Sequence, residues 1–296
     1  MVAERYRPET GCAALADRRR DPLHATAPPA TQWLLLESFS PWPRTALTAL
    51  PSNLGTEIAR RCGELGIRPV LIRRFGRVDR GVPRKWGLVD CRPGRESMRW
   101  GELPSDEHLL DVLAGTDPGE PSDEPIYLVC THGRHDACCA VRGRPVAAAL
   151  TAAYPERTWE CSHIGGDRFA ANVVVLPHSL FYGHVSVARA VELAKHHDEG
   201  LVVPDLLRGS GAFIPPVQAA QHYARTAGHS LAVNELLPKA VRQLHTDHWQ
   251  VDLTTGTTQL RIELSVHLDT IDVRLTCAGR APAQLRRFQL HTLTTT

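Results

Sequence analysis

The chain has 296 residues, 43% of them hydrophobic and 22% charged, with a formal net charge of +2. That composition suits an ordinary globular protein and excludes wholesale disorder. So near neutrality, there is no electrostatic reason to expect nucleic acid or an anionic membrane as the main partner.

The opening "MVAERYRPETG" is charged and lacks an apolar core, so no secretory signal is expected. No apolar stretch reaches the length of a bilayer span. Eight cysteines without an export signal point to reduced thiols or metal ligands rather than a disulfide framework. A cytoplasmic location is the expectation.

Residues 1–29 contain "DRRRDP" and no sustained periodicity, and read as a flexible lead-in. "QWLLLESF" (32–39) reads as a buried strand. In "NLGTEIARRCGELG" (53–66), Leu54, Ile58 and Cys62 recur at helical spacing, and Gly66 suits the helix end. "RPVLIRRF" (68–75) is a second strand, which completes a parallel βαβ pattern. "RKWGLVDCR" and "ESMRWGEL" read as two paired strands, and "SDEHLLDVLAG" (105–115) as a short helix opened by Ser105. Residues 30–115 therefore form an N-terminal α/β unit, and "TDPGEPSDEP" (116–125) is the best linker.

A second alternation spans 124–210. "IYLVCT" is a strand, "ACCAVRGRPVAAALTAAY" runs into a helix, and "RTWECSH", "ANVVVLP" and "FYGHV" are strands. "SVARAVELAKHH" is a helix with Ser186 at its N-cap. The order suits a thioredoxin-like layer. Residues 211–296 form a further appendage, in which "PPVQAAQHYARTAG" and "NELLPKAVRQLH" read as helices. "HWQVDLTT", "TQLRIELSVHL", "DTIDVRLTCAG" and "LRRFQLHTL" alternate at period two, as in an antiparallel meander.

The chemistry concentrates in the second unit. Cys130 ends a strand, and Cys138 and Cys139 open the next helix. His163 follows another strand and enters the glycine loop "SHIGGDRFAAN", flanked by Cys161 and Asp167. If those strands are parallel neighbours, both loops leave the sheet at one edge, a common way to build a site. Thiolate with imidazole suits zinc or a mixed Cys/His iron–sulfur cluster. The Cys-x8-Cys spacing of Cys130 and Cys139 is wider than a zinc knuckle and favours the bulkier centre.

"CTHGRHDACCAVRGRP", "WECSHIGGDRFAANVVVLP" and "YGHV" resemble, in order, the motif blocks of the sucrase/ferredoxin-like family, whose members include thioredoxin-like [2Fe–2S] ferredoxins. The resemblance implies an α/β thioredoxin-like ferredoxin domain that transfers electrons to or from a redox partner protein. It implies a [2Fe–2S] cluster on Cys130, Cys139 and His163, and it puts Asp167 where the family has a second histidine. The fourth ligand stays open between Asp167 and Cys161, with Cys138 a poorer third choice. Alternatives are a zinc-bound or metal-free thioredoxin-like binding module, or a thiol redox enzyme using Cys138 and Cys139. Sucrase activity finds no support, because Asp136 and Asp167 are not a recognisable glycosidase pair. Arg134 and Arg168 are candidates to neutralise the centre or dock a partner. Cys12, Cys62, Cys91 and Cys277 read as solitary buried thiols.

Overall fold

The computed structural model describes residues 6–76 and 81–295. It is mixed α/β, the class expected, with one large mixed sheet and a separate antiparallel sheet. The large sheet takes five strands from each half of the family of elements between residues 32 and 210. The first five are β1 (Gln32–Glu37), β2 (Ile67–Arg73), β3 (Lys85–Asp90), β4 (Ser97–Glu102) and β5 (Glu120–Ser122). The others are β6 (Ile126–Cys130), β7 (Thr158–Cys161), β8 (Val173–Leu176), β9 (Leu180–Tyr182) and β10 (Leu207–Ser210). Their spatial order is β10-β9-β8-β6-β7-β2-β1-β3-β4-β5.

The βαβ unit is present: β1 and β2 are parallel neighbours. The connecting helix α2 (Ser52–Leu65) buries Leu54, Ile58 and Cys62 on one face, and Gly66 ends it in the left-handed conformation at φ 67°. β3 and β4 pair as expected. β2 joins β7 through Ile72↔Cys161 and Arg73↔Glu160, so both α/β units share one sheet. The linker stretch contributes to it as well, because β5 adds an edge strand to β4. The short helix α3 (Leu109–Ala114) begins four residues later than Ser105 suggested, with a turn before it.

The N-terminal lead-in is not featureless. Residues 1–5 lie outside the described part, but helix α1 (Cys12–Arg19) follows with Cys12, Ala13 and Ala16 fully buried. Small residues let this helix approach the core closely, and they carry too little hydrophobicity to announce it in sequence. Helix α4 (Ala137–Ala153) crosses from β6 to β7, and α5 (Val187–Asp198) is capped by Ser186, whose hydroxyl accepts from Arg189 N.

Helix α6 (Pro215–Thr226) packs on the second sheet, ordered β11-β12-β13-β14. Its strands are β11 (Leu237–Gln243), β12 (His248–Thr255), β13 (Thr258–Ile271) and β14 (Ala283–Thr295). "NELLPKAVRQLH" therefore corrects from helix to edge strand. Pro238 has no N–H and would clash inside a helix, whereas an edge strand tolerates it. "DTIDVRLTCAG" also corrects: its first residues finish β13, and 272–282 form an irregular loop carrying Cys277.

One buried pair predicts how stability depends on pH. His178 Nδ1 and His197 Nε2 lie 3.2 Å apart, so one ring donates and the other accepts. Burial holds His197 down at about 4 and also lowers His178. The unfolded chain, with histidines near 6.5, takes up protons first. Stability is therefore full above 6.5 and falls as pH drops toward 4. Urea unfolding at pH 4.5 is expected to show about 2 kcal/mol less stability from His197 than at pH 7.5. A His197→Gln variant should flatten that slope; an unchanged slope contradicts the assignment.

Candidate metal centre

β6 and β7 are parallel neighbours, and Cys130 pairs in register with Cys161. Their ends are thus side by side, and the loops after them emerge together. The loop after β6 runs to Asp136, which caps α4 by accepting from Cys138 N. Cys138 and Cys139 occupy the first turn of that helix, where consecutive side chains point to different sides. The loop after β7 turns at Gly165 and Gly166, both at positive φ (92° and 79°), and enters a 3-10 turn at Asp167–Phe169. A Cβ on Gly166 would lie 2.4 Å from the Arg208 guanidinium, so glycine is required for this close approach.

These loops bring the expected residues into a chain of contacts. The Cys130 thiol is held low by the neighbouring thiols of Cys139 and Cys161 and by the His132 N–H. Cys139 Sγ donates to Asp167 Oδ1 at 3.3 Å. Asp167 Oδ1 lies 2.9 Å from His163 Nδ1, and Asp167 Oδ2 lies 3.6 Å from His135 Nε2. The His135 and His163 rings stack at 3.6 Å. Cys130, Cys139, Cys161 and Asp167 are buried, and the two histidines form the half-buried edge. Cys161 reaches Cys130 and Cys138 turns the other way, toward Tyr6.

The electrostatics follow from burial. Cys139 and Cys161 each act on Cys130, and together with the His132 backbone N–H they hold its thiol well below the ordinary thiol range. Cys139 and Cys161 are pushed well above that range, Cys139 by its bond to Cys130 and Cys161 by burial. Two guanidiniums balance the anionic groups: half-buried Arg68 acts on Cys161 and Cys130, and buried Arg208 on Asp167 and Cys139.

Three participants were not singled out from sequence. His132 accepts from His163 N at 3.2 Å, and His135 completes the histidine–aspartate group. Both belong to the "HGRHD" run, so their proximity to Cys130 was a signal available in sequence. Arg208 was not visible. Its guanidinium donates to Gly165 O (2.9 Å), Asn172 Oδ1 (2.8 Å), Thr26 O (2.7 Å) and Thr26 Oγ1 (3.1 Å). Asn172 Nδ2 also donates to Gly166 O at 2.9 Å and so holds the glycine loop. Arg134 is exposed, whereas Arg168 pairs with Asp21 at 3.4 Å.

A family model described as sucrase/ferredoxin-like matches residues 23–209, well over half the chain. The chain belongs to the sucrase/ferredoxin-like family. The match includes every residue of the contact chain and Arg208, and excludes Cys12 and Cys277. No curated protein matches. Two crystal structures are similar, both single cysteine-to-serine variants of the thioredoxin-like [2Fe–2S] ferredoxin from Aquifex aeolicus. Each is 21% identical, covers 28% of this chain and 97% of its own, and superposes with a TM-score of 0.25. No helix among the described residues is long and apolar enough to cross a membrane.

Proposed function

We propose that this member of the family is an electron carrier whose [2Fe–2S] cluster is held by Cys130, Cys139, His163 and Asp167. The observation that carries the reading is the contact chain Cys130–Cys139–Asp167–His163, assembled by two loops from adjacent parallel strands. The donor set fits: two thiols lie at one end, an imidazole and a carboxylate at the other. His163 Nδ1 is buried and makes no hydrogen bond, although Asp167 Oδ1 is only 2.9 Å away, as befits two donors aimed at a common third partner. Asp167 is favoured over Cys161 as fourth ligand because it touches both Cys139 and His163, while Cys161 bonds Cys130 alone.

When bound, such a cluster supplies one-electron transfer between ferric and ferrous iron, at a potential raised by neutral imidazole ligation. Arg68 and Arg208 offset the negative charge of the thiolates. The half-buried edge of His135 and His163 is the nearest route for exchange with a redox partner protein.

Iron and acid-labile sulfide in anaerobically purified protein test the reading. Two of each per chain are expected, lost in Cys130→Ser and Cys139→Ser and retained in Cys161→Ser. Asp167→His should keep the cluster and change its EPR signal and potential. Iron-free, sulfide-free protein after anaerobic reconstitution would refute the proposal. One observation favours a second reading: ligand atoms of His135, His163 and Asp167 all lie within 4.8 Å of one another, which suits a single zinc ion. Zinc without sulfide, lost in His163→Ala, would select it.

A further inference from the structure

A second donor cluster stands apart from the contact chain. Its members are Cys12 at the start of α1, Asp136 and Cys138 at the start of α4, and Cys277 in the loop between β13 and β14. One ligand atom from each lies within 4.8 Å of all the others. Cys277 Sγ is 3.5 Å from Cys138 Sγ and 3.6 Å from Cys12 Sγ. Cys12 Sγ is 3.5 Å from Asp136 Oδ2. We propose that Cys12, Cys138, Cys277 and Asp136 form a tetrahedral site for a single zinc ion.

The separations match a single ion. With zinc–sulfur bonds of about 2.3 Å, the edges of a tetrahedron of sulfurs are roughly 3.8 Å, close to the separations present. Thiolates with one carboxylate also suit zinc better than magnesium or calcium.

Charge supplies a second, independent observation. Asp136 is 2% exposed, yet among the described residues it has no ion-pair partner. It accepts from Cys277 N (2.7 Å), Cys138 N (2.9 Å) and the Cys12 thiol. Buried carboxylates are normally paired or bound to a metal. A dication among three thiolates and this carboxylate provides the missing positive charge. The two backbone N–H bonds hold the carboxylate in orientation, as outer partners do in metal sites.

The third observation is mechanical. β12 supports β13 only over residues 258–265. Beyond that, 266–271 pairs with 283–288 as a two-stranded ribbon, and its tip carries Cys277 back to α1. An isolated two-stranded ribbon is marginal in water. A metal at the tip ties together three segments, with Cys12 and Cys277 separated by 265 positions in sequence. Closing so long a loop is where a cross-link gains most. Tyr6 OH, 3.3 Å from Cys138 Sγ, covers one side.

The test uses the full chain, purified anaerobically without chelator. Zinc X-ray absorption on the wild type is expected to show one ion with three sulfurs at about 2.3 Å and one lighter ligand. That result does not depend on any variant folding. Cys277→Ser, in an irregular loop, should weaken zinc binding at least tenfold and raise amide exchange across 272–282. Cys130→Ser should leave this zinc in place, which separates the site from the proposed cluster. Cobalt added to metal-free protein should give thiolate-to-metal charge-transfer absorption that Cys12→Ser removes. A zinc-free protein with no cobalt–thiolate absorption, zinc bound mainly by imidazole, or a disulfide joining Cys277 to Cys12 or Cys138 would each overturn the proposal.

Discussion

An Arg208→Met variant is expected to lose on the order of 4 kcal/mol of stability in urea unfolding, together with most of its capacity to take up iron. Arg208 is 1% exposed and makes four hydrogen bonds to Thr26, Gly165 and Asn172. Methionine fills part of the volume but leaves the buried Asn172 Oδ1 and the part-buried Thr26 and Gly165 carbonyls without this donor. Each such orphan costs about 1–3 kcal/mol. The effect reaches the site because Gly165 and Gly166 form the turn that delivers Asp167, and the guanidinium packs directly against Gly166. Burial lowers Arg208 to about 9, which still leaves it charged at neutral pH, opposite Asp167 and Cys139. Arg208→Lys keeps a charge but loses the planar fork, so it should recover less than half of the loss. Wild-type iron content and stability in the methionine variant would show that the guanidinium does not hold the loop.

The second large effect reverses a helix rule. Replacing glycine by alanine inside a helix normally stabilises by about 1 kcal/mol. Gly143→Ala is expected instead to destabilise by about 3 kcal/mol. A Cβ at Gly143 would lie 2.1 Å from the Cys130 carbonyl oxygen and 3.4 Å from Thr131 Cγ2. Helix α4 must then move off the end of β6, carrying Cys139 away from Cys130. Loss of iron and sulfide should accompany the loss of stability. Gly63 in α2 supplies the control, because a Cβ there meets nothing within 4 Å. Gly63→Ala should raise stability by about 0.5–1 kcal/mol. If both substitutions stabilise, the close packing of α4 on Cys130 is disproved.

Much of the architecture was legible before any coordinates. The runs that became β1, β2, β6 and β8 are apolar enough to be buried on both faces, and α2 and α5 show their apolar stripe and terminal residues. The spacing of Cys130 and Cys139, with the glycine loop after His163, marked out the region where the contact chain forms. These features are local: hydrophobic period, capping and turn residues act within a few positions of one another.

Other features have no local signature. β11 carries helix-forming residues and becomes a strand because β12 offers it a ladder. Arg208 belongs to a residue type that is usually exposed, and only the convergence of Thr26, Gly165 and Asn172 makes a buried place for it. Cys12, Cys138 and Cys277 each looked solitary or incidental. Local sequence can say that a thiol is buried, but not which other buried thiol it meets. That is decided when α1, the start of α4 and the tip of the β13–β14 ribbon close on one point, across a separation that no pattern in the chain records.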